Sequence, residues 1–203
     1  MQNSRMADER IKIIRRSSFT ALPWKNGGGI THEAIREPPI GDAFIWRVSV
    51  AEIDSSGPFS DFAGYDRKMV LLRGHGIALE FGSGKRCTLR GVGDFVEFDG
   101  SMATRCELLD GPCVDLNLMV SKSRRTAARI ERMSGPLQVA ANHGDTTLIF
   151  GIQDPLSLNG AAESTRLEPW DLAILRGCSV RLSNMSRGED SAPSTVFIAT
   201  ISP

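Results

Sequence analysis

Arg67-Lys68-Met69-Val70-Leu71-Leu72-Arg73-Gly74, and after an interval Gly93-Asp94-Phe95-Val96-Glu97-Phe98, decide how this chain folds. Each is a short apolar run with a glycine at one end, the pattern of a buried strand bounded by a turn. The pattern recurs outward at 114–120, 147–151, 172–175 and 195–201, with Gly, Pro, Asp or Asn at most boundaries. Few stretches have helical period and length. Residues 123–133 fit a short helix or a strand, and Arg124, Arg125, Arg129 and Arg132 favour a solvated connector. The expected fold class is all-β.

A shift of 77 residues lays Gly74 on Gly151, Leu71 on Leu148, Leu72 on Ile149, Leu79 on Leu156, Asp94 on Asp171, Phe95 on Leu172 and Phe98 on Leu175. Both halves then read as apolar strand, glycine, loop, aspartate turn and apolar strand, which predicts a duplicated β-barrel. The frame resembles the cupins, whose barrel is a double-stranded β-helix; two copies make a bicupin. The expected units are 1–120 and 121–203, with the N-terminal strands free to pair with the second barrel. In metal-binding cupins the position seven residues before the first glycine carries a glutamate ligand; here it is Arg67. The expected histidines fall at Ser60, Phe62 and near Thr104, and in the second half the corresponding positions are Leu137, Val139, Gly144 and Arg181. A guanidinium has no lone pair to offer a cation. The resemblance therefore implies a barrel without its metal, and no cofactor is expected.

The 203 residues suffice for one large or two small units with a real core, and 41% hydrophobic with 24% charged residues is ordinary globular composition. Lys plus Arg equals Asp plus Glu, at 24 each, which argues against bulk attraction to nucleic acid or anionic membrane. No apolar run approaches the roughly 20 residues that span a bilayer. The polar start, Met1 to Lys12, does not resemble a secretory signal. Cys87, Cys106, Cys113 and Cys178 show no metal spacing and read as reduced thiols. A cytoplasmic location is expected.

Strand alternation shows where polar groups point. In Trp46-Arg47-Val48-Ser49-Val50-Ala51 one face is Trp46, Val48 and Val50, and the other Arg47, Ser49 and Ala51. In Asp115-Leu116-Asn117-Leu118-Met119-Val120 the faces are Leu116, Leu118, Val120 and Asp115, Asn117, Met119. The apolar faces should pack on a neighbouring sheet, leaving the polar faces to line a cavity or meet water. Arg47, Ser49, Asp115 and Asn117 mix donors and acceptors, as a pocket does. The segment Pro23-Trp24-Lys25-Asn26-Gly27-Gly28-Gly29-Ile30-Thr31 is a flexible turn or an anion cradle, with Trp24 as a wall, Lys25 as a cation and Asn26 as an amide. An arginine facing a barrel interior must be paired. For Arg67 the partner is an internal carboxylate, Asp115 or Glu33, or the carboxylate of a ligand. His32, Glu33 and His75 are the nearest proton-transfer groups, but nothing marks a nucleophile, so the catalytic residues are unknown.

Four motifs resemble the HutD/Ves family: Pro-Trp-Lys-Asn-Gly-Gly-Gly-x-Thr at 23–31, Trp-Arg-x-Ser-x-Ala at 46–51, Gly-Pro-Phe-Ser-x-Phe-x-Gly-x-x-Arg at 57–67 and Asp-Leu-Asn-Leu-Met at 115–119. They cover about the first 120 residues. The resemblance implies a two-barrel cupin associated with histidine utilisation, in a small-molecule-binding or regulatory role. The expected ligand is a small carboxylate such as urocanate or formylglutamate. Trp24, Lys25, Asn26, Gly27, Gly28, Gly29, Thr31, Arg47, Ser49, Arg67, Asp115 and Asn117 form the expected binding set. Competing expectations are a metal-independent isomerase or hydrolase on the same ligand class, and a protein-interaction module. No direct nucleic-acid or membrane partner is expected, and the sequence is compatible with a homodimer.

Overall fold

A computed structural model describes residues 10–24, 27–41, 43–160, 164–185 and 193–203. They form four β-sheets and one short 3-10 turn. The first large sheet runs β2 (Thr20–Pro23), β3 (Gly29–Glu37), β4 (Trp46–Ile53), β11 (Cys113–Ser121), β6 (Tyr65–Arg73) and β9 (Phe95–Asp99). It faces a small sheet of β5 (Gly57–Pro58), β10 (Thr104–Leu108), β7 (Ile77–Phe81) and β8 (Arg86–Leu89). The second large sheet runs β1 (Ile11–Ile14), β17 (Leu172–Arg176), β14 (Thr146–Gly151), β19 (Ser194–Ser202) and β12 (Arg125–Met133). Its small companion is β13 (Leu137–Ala140), β18 (Ser179–Asn184), β15 (Leu156–Asn159) and β16 (Ser164–Leu167). Residues 125–133 are thus a nine-residue strand.

Three apolar cores hold these layers. The predicted apolar faces, Trp46, Val48, Val50 and Leu116, Leu118, Val120, meet Leu148, Phe150, Leu172, Ile174 and Phe197 between the two large sheets. Ile53, Met69, Leu71, Ile77, Leu79 and Phe81 fill part of the first barrel, between its large and small sheets. Ile149, Leu156, Leu158, Leu182, Val196 and Ile198 fill the second. Burial of such side chains is worth about 1.5–3 kcal/mol each. The alternation therefore gives each large sheet one face toward the other sheet and one toward its own barrel.

The strand order β4-β11-β6-β9 is repeated as β12-β19-β14-β17, and β5-β10-β7-β8 as β13-β18-β15-β16. The ungapped 77-residue shift does not hold throughout. It keeps faces at Leu79 and Leu156, and at Phe95 and Leu172. At β6 and β14 it fails, because Leu71 faces the first barrel while Leu148 faces the other large sheet. The pairings Val70 with Phe95 and Phe150 with Leu172 make Val70 the counterpart of Phe150. Gly151 then corresponds to Leu71, not to Gly74. The physical reason is that β14 ends at Gly151, next to Phe150, whereas β6 runs on from Val70 to Arg73, so the strand is shorter in the second half and a fixed offset cannot represent it.

Candidate functional site

A cavity of about 590 Å³ opens in the first barrel, between the polar faces of β4, β6 and β11 and the segment that precedes β6. Register explains its floor. Asn117 sits between Ser49 on β4 and Met69 on β6, and Met119 sits between Arg47 and Arg67. Because side chains alternate, Arg47, Ser49, Arg67, Asp115, Asn117 and Met119 all project to the same side.

At its centre is a buried polar chain. Arg67, only 5% exposed, donates through Nη2 to Oδ1 of Asn117 at 2.8 Å. Asn117 donates through Nδ2 to Oδ1 of Asp115. Asp115 is 1% exposed. Arg67 Nε and Asp115 Oδ2 are both buried and, among the described residues, without a hydrogen-bond partner. Phe59, Phe62 and Phe98 ring the guanidinium, with centroids 5.2, 5.5 and 5.0 Å from its central carbon. Their faces partly replace the lost water. Burial, aided by the like charge of Arg47 and opposed by Asp115, lowers the Arg67 pKa to about 10, so the guanidinium stays charged at neutral pH. Burial raises Asp115 to about 7, although Arg67 and the Asn117 bond pull it down. A carboxyl at that value changes charge near neutrality.

Arg47 donates through Nε to Glu33 Oε2 at 2.6 Å, and Arg36 takes the other oxygen at 2.9 Å. Glu33 is therefore the partner of Arg47, and the internal partners of Arg67 are Asn117 and, through it, Asp115. Trp24 donates through Nε1 to Thr31 Oγ1 at 2.8 Å, and its ring meets Phe59 edge-on at 6.3 Å. Both residues line the cavity.

Several expectations change. Lys25 and Asn26 lie outside the described residues. Gly27, Gly28 and Gly29 are not in the cavity wall. They close the turn between β2 and β3, where Gly27 N donates to Trp24 O and Trp24 N to Gly29 O, each at 3.0 Å. A Cβ on Gly29 would lie 2.3 Å from the carbonyl oxygen of Glu52. Glycine is needed there for the close approach of the strands. His32 points away and pairs with Glu52 at 3.1 Å beside a separate space of about 50 Å³. His75 sits on the surface near Asp110. Thr104, though buried, turns its hydroxyl to Met102 O.

An aromatic collar, which strand alternation does not reveal, completes the site. Phe59, Ser60 and Phe62 line the cavity because residues 57–62 cross its mouth. Phe59 N donates to Thr104 O and Phe62 N to Gly100 O, each at 2.9 Å. A Cβ at Gly100 would stand 2.5 Å from Phe62 O, so this crossing requires glycine there. The available signal was the motif at 57–67 itself, in which two phenylalanines precede a buried arginine. Among the described residues no group of three or more His, Cys, Asp or Glu is placed to hold a metal. A charged guanidinium at the cavity centre does not fit a divalent cation either.

Fold and site define a cupin-type protein whose first barrel holds an arginine-centred cavity. Within that class the chain belongs to the HutD family, whose model matches residues 16–191. It is 34% identical over 171 residues to an uncharacterised 21.2 kDa protein in the hutC 3′ region of Pseudomonas putida, covering 83% of this chain and 88% of that one. It is 39% identical over 102 residues to protein Ves of Cronobacter sakazakii, covering 50% of this chain and 55% of Ves. Among solved structures, a conserved protein of unknown function from Pseudomonas aeruginosa PAO1 superposes with a TM-score of 0.84 at 30% identity, over 95% of this chain and 99% of that one. HutD from Pseudomonas fluorescens SBW25, in a formate condition, gives 0.76 at 28% identity, over 94% and 97%. Bacillus subtilis oxalate decarboxylase, 8% identical with a TM-score of 0.64 over 93% of this chain and 76% of that one, shares the fold alone.

Proposed function

We propose that the first barrel binds a small carboxylate and that the protein serves histidine catabolism in the cytoplasm as an accessory or regulatory component. One observation carries this reading. A charged arginine is buried in a cavity with its Nε unpartnered among the described residues, and a second arginine shares the wall. Burying a guanidinium this way is costly unless something completes its bonding, and a carboxylate does so with charge-assisted contacts. Family membership supports the pathway, as does the placement of the Pseudomonas putida relative in the hutC 3′ region. Urocanate and formylglutamate are ligands of fitting size and charge. Ser49, Thr31 and Asn117 would orient the ligand, and Trp24 with Phe59 would wall it.

The test is calorimetry with urocanate, formylglutamate and formate on the wild type, Arg47→Gln and Arg67→Gln, after each variant is shown to be folded. Loss of one charge-assisted contact should cost about 1.5–3 kcal/mol, or one to two powers of ten in affinity. Unchanged affinity in both variants rejects the arginines as anchors. Absence of binding by the wild type rejects the reading.

A metal-independent isomerase or hydrolase is the second reading. Asp115 favours it, as a buried carboxyl near neutral pKa in the cavity. Turnover of either larger ligand would establish it. The protein-interaction alternative gains nothing from a cavity of this size; a mouth plugged by its own side chains would favour it.

A further inference from the structure

The buried chain Arg67–Asn117–Asp115 has an electrostatic consequence for anything negative that enters. Arg67 and Asp115 form no direct ion pair; Asn117 stands between them, accepting from one and donating to the other. Each keeps one buried polar atom unpartnered among the described residues, Nε on the cation and Oδ2 on the acid. While Asp115 is ionised, its field cancels much of that of Arg67, and an incoming carboxylate meets a like charge in a water-poor wall. With a proton on Asp115, the Arg67 charge is uncompensated and Oδ2 can become a donor.

We propose that the cavity takes up an anion and a proton together, the proton residing on Asp115. The proposal rests on the reading of this cavity as a carboxylate site. The charged and titratable groups around Asp115 are Arg67 on β6 and Cys106 on β10, with Arg47 on β4 and Glu33 on β3 one layer further out. Burial pushes Cys106 up to about 12, so it stays neutral. Glu33 is held by Arg36 and Arg47. Asp115 is left as the group able to accept the proton, and in the empty site it titrates near 7. An anion beside it raises that value further. The liganded state then holds more protons than the free state, so affinity falls as pH rises above about 7, by up to tenfold per pH unit. Below about pH 6 the acid is already protonated and the dependence disappears.

The probe is formylglutamate, whose carboxylates stay ionised from pH 6 to 9. Calorimetry at pH 8 in two buffers of different ionisation enthalpy counts the protons taken up. About one per bound ligand is expected at pH 8 and close to none at pH 5.5. Asp115→Asn should bind with neither uptake nor pH dependence. Binding by the wild type without uptake overturns the proposal and leaves the carboxylate site standing. Uptake that persists in Asp115→Asn also overturns it, because the proton then resides elsewhere. No binding of formylglutamate, urocanate or formate at pH 5.5 removes the carboxylate reading and this inference together. If Asp115→Asn does not fold, infrared difference spectra of the wild type decide. Formylglutamate binding at pH 8 must produce the carbonyl band of a buried protonated carboxyl, and its absence overturns the proposal.

Discussion

The two barrels share a strand order and differ in what fills them. Pairing register makes Thr147 the counterpart of Arg67, Val196 that of Asp115 and Ile198 that of Asn117. In the second barrel these positions are fully buried; Val196 and Ile198 are apolar, and Thr147 donates to Ala140 O. The first barrel places a cation, an amide and an acid there, with two polar atoms unpartnered among the described residues. A protein selected only for stability would fill both barrels as it fills the second. At these positions the buried groups that are costly to desolvate lie in the first barrel.

The largest test of that contrast is Arg67→Met at pH 8. It leaves Asp115 buried without its countercharge and should destabilise the fold by about 3–5 kcal/mol in urea unfolding. At pH 5 the loss should shrink to roughly 1–2 kcal/mol, because Asp115 is then neutral. The sign follows from its raised value. The folded state binds this proton more tightly than the unfolded chain, so the stabilising contribution is complete below the ordinary value of 3.8 and is lost as pH rises toward about 7. Equal losses at both pH values would mean that Asp115 does not carry the charge.

Ile198→Asn applies the first barrel's chemistry to the second. It adds an amide without partners and removes buried apolar area, so a loss of about 2–4 kcal/mol is expected by thermal or chemical unfolding. A much smaller loss would mean that the second interior tolerates polar groups, and the contrast would collapse. The opposite exchange, Arg67→Met with Asp115→Val and Asn117→Ile, should leave stability unchanged or raise it by up to about 2 kcal/mol while abolishing carboxylate binding. A clear loss of stability would make the polar chain structural rather than functional. The smallest effect belongs to Thr147→Val, which removes the hydroxyl bonds to Ala140 O and Thr200 Oγ1 and should cost about 1 kcal/mol.

What was legible in the sequence follows from the period of a strand. Alternation at 46–51 and 115–120 assigned both faces, because a residue's side of a sheet depends only on parity. The inward position of Arg67 came from the cupin frame. The rest depended on geometry with no period. Phe59 and Phe62 reach the guanidinium from a segment that crosses the mouth, and its path is set by Gly100 and by bonds to Thr104 and Gly100. The pairing of Glu33 with Arg47 needs a register that is irregular between Glu33 and Ile35. Three successive glycines announce an unusual backbone without saying why it is needed; at Gly29 the need is room for Glu52. The fixed repeat offset failed where one strand, β14, is shorter than its counterpart, β6.

The N-terminal strand has a consequence for how the chain is made. Ile11–Ile14 pairs with Leu172–Leu175, at the edge of the second large sheet, and Asp171 then fastens it by accepting from Arg15 Nη1 and from the Arg16 backbone, each at 2.8 Å. On a ribosome this segment emerges long before its partner, with most of both barrels made in between. At about 5–20 residues per second it waits roughly ten to thirty seconds for the strand it belongs to. The first barrel can close during that interval, but the second large sheet cannot be completed until β1 meets β17. Removing the first fifteen residues should therefore leave the cavity's barrel able to assemble and expose a raw sheet edge on the other, turning a folding delay into a site for aggregation.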